Sequence, residues 1–565
     1  MEGTRQFILN QVMAWVANPQ EKKAYWFYGL PGIGKSSLAH SICESLHTQK
    51  HLAGGFFCRR DDPNLSDLRN ILPTFIYKLA IIFPPFRNIV AERFRMDPNL
   101  TPETMKETLF LDFIRSLTRQ PDHALVFVVD ALDECGNARS RPGILKVLTD
   151  AAALAPWLKI IITSRPEFDI ARFFDGLTQS SYFGYDLAKD QDAGVDLRTF
   201  ARSQFDLVAT EWHLSAPWPE ESDFSRAITR ANGLFIFIKT LALALQYSND
   251  PEESLKTTLE DSDGTGLEPL YGLYSSILKT RLMRSNVEFQ RMIAVLLATA
   301  PYHPLRDETI GELAGVKPNL VKKWVDDLGS LLYRDGGAKE GIRVRHASIS
   351  DFFISDHCDY RVNLGDANVQ LGAACLKTMV GQLRFNICKL DDSRLPNTAV
   401  QDLPSRIDQN ISEALQYSCT YWSNHLCFTA NTGDQRVWGS LKEFFGGLYP
   451  IFWVEVLSIM GTVPIGAPSL RRVISWVKVS MAPACCQTIL ICCRMSIRLF
   501  LRGFRMSVIS SSPSVPPSLS ALRTSIFQRD LSYPLSRCCR STSAPSSLKA
   551  LRSKAGDCRH GQRRH

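Results

Sequence analysis

At 565 residues, 45% of them hydrophobic and 22% charged, the chain has ample apolar material for three or more packed domains. The net charge of +8 is unevenly spread: residues 481–565 hold 14 Lys and Arg against two acids, Asp530 and Asp557, so the preceding chain is about −4. The 15 cysteines form no C-x-x-C pair, which excludes a zinc ribbon and a dithiol redox motif and makes free cytosolic thiols the default.

Taken in chain order, residues 24–28 read as a strand. Gly29-Leu30-Pro31-Gly32-Ile33-Gly34-Lys35-Ser36 follows without a gap, and a helical pattern runs over 37–46. Strand, glycine loop and helix in that order give G-x-x-x-x-G-K-[ST] a physical meaning. Gly29, Gly32 and Gly34 let the backbone wrap a polyphosphate, with amide hydrogens converging at a helix N-terminus. Lys35 is expected to reach the outer phosphates, and Ser36, with Ser37 beside it, to hold a magnesium ion.

A weaker strand over 53–58 and helical patterns over 65–82 and 103–119 lead to Ala124-Leu125-Val126-Phe127-Val128-Val129-Asp130. An unbroken apolar run is expected of a parallel strand buried on both faces, and the carboxylate at its end, Asp130, is placed to order the metal and its water. Asp133 and Glu134 come one turn later. They read either as acids favoured in a helix's first turn or as groups that position an attacking water. A helix over 142–154 precedes a strand over 158–164, after which Arg165 is a candidate reader of the terminal phosphate and Pro166 a stop. Residues 181–187 supply a fifth strand. Strands alternating with helices predict an α/β fold, a doubly wound parallel sheet of the P-loop NTPase type, with its ligand crevice at the strands' carboxyl ends.

Beyond the sheet the pattern is helical over 224–245, 267–282 and 288–297. Residues 285–355 read as helix, helix (307–313), a turn at Pro318, helix (320–328) and a two-stranded wing across Asp335-Gly336-Gly337. That is a winged-helix outline, a shape that often binds DNA. Lys322 and Lys323 share the third helix with Asp326 and Asp327 and make no basic stripe, so intramolecular packing is expected and nucleic acid is not an expected partner. The most apolar stretch, 444–468, is interrupted by Pro450, Glu455 and Pro464, whereas a spanning helix needs about 20 apolar residues; it reads as a buried helix pair. No signal peptide is expected at the start. Residues 481–565, with 16 serines and three cysteine doublets, lack a periodic apolar face and are expected to be disordered. The domains expected are 1–200 (NTPase), 201–284 (helical), 285–360 (winged helix), 361–480 (helical) and 481–565 (basic tail).

The run Asp130-Ala131-Leu132-Asp133-Glu134 resembles the signature of NACHT NTPases, a branch of the STAND class of signalling switches. Gly3-Thr4-Arg5, Ala53-Gly54-Gly55-Phe56-Phe57-Cys58-Arg59-Arg60-Asp61-Asp62, Thr163-Ser164-Arg165-Pro166-Glu167 and His346-Ala347-Ser348-Ile349-Ser350-Asp351-Phe352-Phe353 resemble the fungal nephrocystin-3-like set of these proteins. The resemblance covers roughly residues 1–470. It implies a nucleotide-gated switch with ATP or GTP, magnesium and slow hydrolysis, self-association on activation, a cytoplasmic location, and a role in fungal nonself recognition or cell death. It further implies that Thr4 and Arg5 lie beside the base and ribose, that Asp133 positions water with Glu134 in reserve, and that His346 senses the diphosphate. Where relatives carry a base-contacting proline, this chain has Phe235 or Ile236. Because relatives continue into repeats near residue 480, a shifted reading frame or misplaced splice is the favoured reading of the basic tail. Two alternatives stay open beside the switch: a non-hydrolysing nucleotide-binding scaffold or truncated family member, and a nucleic-acid-binding ATPase.

Overall fold

The computed structural model describes residues 5–97, 107–178, 181–190, 192–260, 266–282, 287–336, 340–392, 396–428 and 435–479. Thr4 and the whole basic tail fall outside the described residues. The chain forms two compact units, residues 1–367 and a second that begins at Asn368.

The first unit is built on a parallel sheet of five strands, β1 (Ala24–Tyr28), β2 (Leu52–Phe57), β3 (Leu125–Asp130), β4 (Leu158–Ser164) and β5 (Tyr182–Asp186), in the order β2-β3-β4-β1-β5. Helices α1 (Gln6–Ala17), α2 (Lys35–Thr48), α3 (Ile71–Ile82), α4 (Pro84–Met96), α5 (Glu107–Arg115), α6 (Arg141–Leu154) and α7 (Phe168–Asp175) surround it. Every residue of β3 and β4 is buried, as in strands covered on both faces, including Lys159, Thr163 and Ser164 of β4. Successive side chains of a strand point to opposite faces. Trp26, Phe127, Val129, Ile160 and Ile162 therefore join a core with residues of α3, α5 and α6, where the ring of Phe75 stacks on Phe127 at 4.0 Å. Tyr25 and Phe27 face the other way, and Trp15 of α1 meets Tyr25 edge-on at 5.5 Å.

One feature of the strand order departs from the simplest reading of the sequence. The glycine loop follows β1 and the Asp130 carboxylate ends β3, yet the two strands are not neighbours: β4 lies between them, with Phe27 in register with Thr163. The carboxyl end of β4 is thereby inserted into the crevice.

The chain continues through α8 (Ala193–Glu211), α9 (Glu221–Ala231), α10 (Phe235–Gln246), α11 (Pro251–Glu260) and α12 (Glu268–Arg281). Next come α13 (Val287–Thr299), α14 (Asp307–Ala314) and α15 (Pro318–Asp327), an antiparallel pair β6 (Leu332–Arg334) and β7 (Ile342–Val344), and α16 (Ala347–Ile354). The three helices and the hairpin expected over 285–355 are thus present. Pro318 occupies the first position of α15, where its missing N–H costs nothing.

The second unit is helical: α17 (Leu364–Gln382), α18 (Leu403–Asn410), α19 (Glu413–Leu426), α20 (Gln435–Gly446), α21 (Tyr449–Ile459) and α22 (Gly466–Val479). Trp422 and Trp453 meet edge-to-face at 5.7 Å in its core, and the Trp453 indole donates to the Cys419 carbonyl at 2.8 Å. His425, fully buried, sits between Tyr417 Oη (2.7 Å) and Asn368 Oδ1 (2.8 Å), and burial pushes its pKa down to about 3. Among the described residues no helix is long and apolar enough to cross a membrane.

Candidate nucleotide site

The loop leaves β1 at Tyr28 and enters α2 at Lys35. Gly32 and Gly34 take φ of +82° and +96°, a region where a Cβ would be strained. Lys35 is buried and donates from Nζ to the carbonyls of Gly29 (2.8 Å) and Leu30 (2.9 Å). Burial lowers its pKa to about 8; Asp133, Asp130 and Glu134 oppose that shift and Arg165 adds to it. Lys35 therefore lies in the field of Asp130, Asp133, Glu134 and Arg165. Ser36 is exposed at the first turn of α2, with Ser37 next to it.

Asp130 is 2% exposed. Its carboxylate accepts from Thr163 Oγ1 at 2.5 Å, and burial raises its pKa, with Thr163 and Ser36 opposing that shift. A buried carboxylate needs such partners. The Thr163 hydroxyl also accepts from the Ala131 amide at 2.9 Å, so β4 fixes the turn that follows β3. Ser36 and Asp130 are oxygen donors of the kind that hard divalent cations take. No cluster of three or more His, Cys, Asp or Glu suited to a metal occurs among the described residues.

Asp133 and Glu134 do not begin an α-helix. They sit in a short 3₁₀ turn, Leu132–Glu134, behind Ala131 at φ +52°. Asp133 Oδ1 accepts from the Arg165 amide at 2.9 Å, and its Oδ2 pairs with Arg165 Nε at 3.1 Å. Glu134 accepts from the Arg60 amide at 3.3 Å, and burial raises its pKa. Arg165 has a further partner: its terminal nitrogen lies 2.7 Å from Asp351 of α16.

Arg5 is buried and folded into protein contacts. Its amide donates to Asp196 at 2.9 Å, its guanidinium pairs with Asp190, and a second nitrogen donates to the Ile33 carbonyl at 3.2 Å. Arg5 is thus a strut beneath the loop, held by acids from the segment after β5. His346 caps α16, its Nδ1 accepting from the Ser348 amide at 3.2 Å and lying 2.7 Å from Ser348 Oγ. Burial, with Lys35 and Arg165 nearby, lowers its pKa to about 4. The segment expected to carry a proline turns at Asn232 (φ +46°) and Gly233 (φ +80°) and starts α10 directly against the loop: the Ile236 amide donates to the Gly32 carbonyl at 3.2 Å.

Five residues of this neighbourhood were not visible as site residues in the sequence: Thr163, Arg60, Asp351, Asp190 and Asp196. Thr163 carried a usable signal, since it is a polar residue closing a buried apolar strand. The others are recognisable only by partners distant in sequence, 291 positions apart for Arg60 and Asp351.

The fold is that of a P-loop NTPase. Residues 3–165 match the family model described as Nephrocystin 3, N-terminal. No curated protein matches the chain. Among solved structures, the chain is similar to a Walker-type ATPase of Pyrococcus abyssi at 16% identity, covering 62% of this chain and 95% of that one with a TM-score of 0.30. A Signal Transduction ATPase with Numerous Domains (STAND) protein with a tetratricopeptide repeat sensor, from Pyrococcus horikoshii, is similar at 14% identity over 88% of this chain and 70% of that one, TM-score 0.34. Cdc6p from Pyrobaculum aerophilum is similar at 13% identity over 62% of this chain and 94% of that one, TM-score 0.30.

Proposed function

We propose that this chain binds a magnesium nucleoside triphosphate, ATP or GTP, at the 29–36 loop and works as a nucleotide-gated switch of the STAND type. The observation that carries the reading is the placement of the glycine loop: it leaves the carboxyl end of β1 with Gly32 and Gly34 at positive φ, enters α2 at the buried Lys35, and shares the carboxyl edge of the sheet at which the buried Asp130 ends β3. Gly29, Gly32, Gly34 and Lys35 would hold the phosphates, Ser36 and Asp130 the metal. Arg165 would meet the terminal phosphate, and Asp133 or Glu134 would orient water for a slow hydrolysis. The bound metal would supply charge neutralisation. What the protein's own atoms do is enclose the phosphates in converging amides and keep Lys35 desolvated. We read α13 to α16 with the β6–β7 hairpin as a winged helix that packs on this site, with a signalling role of the fungal nonself-recognition or cell-death kind and self-association on activation.

A second reading, nucleotide binding without turnover, is favoured by one observation: Asp133 spends both oxygens on Arg165. Both readings predict that denatured, freshly purified protein releases a nucleotide in near-stoichiometric amount, resolved by chromatography as ADP or GDP under the switch reading and as intact triphosphate under the scaffold reading. Protein that releases none, and binds neither magnesium ATP nor magnesium GTP when titrated, would contradict both.

A further inference from the structure

The clearest feature outside the phosphate-binding roles is a strip of two cations followed by two acids, Arg59-Arg60-Asp61-Asp62, that follows β2 and meets the β7–α16 segment. Arg343 of β7 donates to Asp61 through its carboxylate (2.9 Å) and carbonyl (2.7 Å). Arg60 pairs with Asp351 Oδ1 at 2.9 Å, while Arg165 pairs with the same residue's Oδ2 at 2.7 Å. One carboxylate therefore faces two guanidinium groups, hydrogen-bonded to Arg60 through Oδ1 and ion-paired to Arg165 through Oδ2 without the alignment of a hydrogen bond; two guanidinium groups so placed also suit a phosphate. Asp351 is the sole acid of α16, and the ring that caps this helix, His346, is held towards its neutral form. What α16 brings to the two arginines is thus a single negative charge.

We propose that Asp351 sets the site's preference between diphosphate and triphosphate by occupying Arg165. This rests on the reading of the glycine loop as a triphosphate site. Arg165 already divides one positive charge between Asp133 and Asp351. A terminal phosphate that recruits Arg165 must draw it from Asp351, so triphosphate binding and the α16 contact compete. A diphosphate leaves the pair intact. Because a ligand shifts an equilibrium only by its differential affinity for the two states, this competition penalises the triphosphate and, reciprocally, makes the triphosphate the ligand that frees α16 from Arg60 and Arg165.

The test is calorimetric titration of full-length wild type, Asp351→Asn, Asp351→Glu and Asp351→Asn/Arg165→Gln with AMP-PNP, GMP-PNP, ADP and GDP in magnesium. Asp351→Asn should tighten the imidotriphosphate by about tenfold and leave the diphosphate nearly unchanged. Asp351→Glu should restore most of the wild-type ratio, and the double variant should lose the gain. Equal tightening of both nucleotides, or none, would overturn the proposal. Should Asp351→Asn not fold, Arg60→Gln, which leaves the Asp351 charge to Arg165 alone, must shift the ratio the opposite way, towards the diphosphate. Hydrogen exchange without nucleotide, over residues 59–62 and 347–354, reads the contact separately and should quicken in Asp351→Asn. If it does quicken while no variant binds any nucleotide, the glycine-loop reading has failed and this inference falls with it. If nucleotides bind and exchange does not change, Asp351 holds nothing and the inference alone is wrong.

Discussion

The amide of Ile236, in the first turn of α10, donates to the carbonyl of Gly32 in the glycine loop at 3.2 Å, and its side chain lies where a Gly32 Cβ would be. A Cβ at Gly32 would come within 2.0 Å of Ile236 Cγ2, at a φ of +82°. The loop and α10 are therefore fitted to one another, and this contact stands where relatives are expected to use a proline.

Gly32→Ala should consequently fail twice. Positive φ in a non-glycine residue costs about 1–3 kcal/mol, and the clash displaces α10. Adding Ile236→Ala should recover the steric part and leave the backbone part. A thermal-melt double-mutant cycle would show this as incomplete rescue; full rescue would mean that the backbone strain is negligible.

Arg5→Ala leaves Asp190 and Asp196 facing one another without their counterion beneath the loop. Breaking a buried pair by removing one partner typically costs about 3–5 kcal/mol, and urea unfolding should show a loss of that order. Arg5→Lys should rescue little, because an ammonium cannot reach the two acids and the Ile33 carbonyl together.

His346 predicts a pH signature. Its pKa is about 4 here against an ordinary value of 6.5, so the folded state binds fewer protons than the unfolded state between those values. Stability from this residue is full above 6.5 and falls as pH drops towards 4. Asparagine also caps helices well but does not titrate, so His346→Asn should flatten the stability slope over pH 4–6.5 by up to about one proton. His425 is common to both proteins and cancels in the comparison.

Much of this architecture was legible in the sequence, and the reason differs by element. The 125–129 run of β3 and the 160–162 run of β4 are apolar because both faces are covered, and the glycine loop is constrained by backbone conformation, so both are written locally. The insertion of β4 between β1 and β3 is not local, and with it Thr163 was missed as the residue that bonds Asp130. Likewise the 3₁₀ turn at 132–134 depends on Asp133 finding Arg165, a partner 32 positions away. Arg5 was placed beside the base by resemblance alone, and its contacts with Asp190 and Asp196 could not be read locally because those acids carry no pattern of their own.

Asp133 is where chemistry and structure compete for one carboxylate. Asparagine keeps an acceptor for the Arg165 amide but loses the charge. Asp133→Asn should hold triphosphate affinity within a few-fold, while single-turnover hydrolysis falls by about 10²–10⁴. Equal losses in binding and turnover would make Asp133 an anchor for Arg165 only. Unchanged turnover would move the water-positioning role to Glu134.

The central claim is that the 29–36 loop holds a nucleotide's phosphates, and Lys35 is the residue on which it turns. Lys35 is buried, its pKa lowered to about 8 by desolvation, and its ammonium is folded against the carbonyls of Gly29 and Leu30 in the loop it would share with the phosphates. Titration calorimetry of magnesium ATP and magnesium GTP into wild type and Lys35→Ala is the most direct measurement. The account predicts at least a tenfold weakening, about 1.4 kcal/mol, with the variant still folded by circular dichroism. Undiminished binding by folded Lys35→Ala would contradict it.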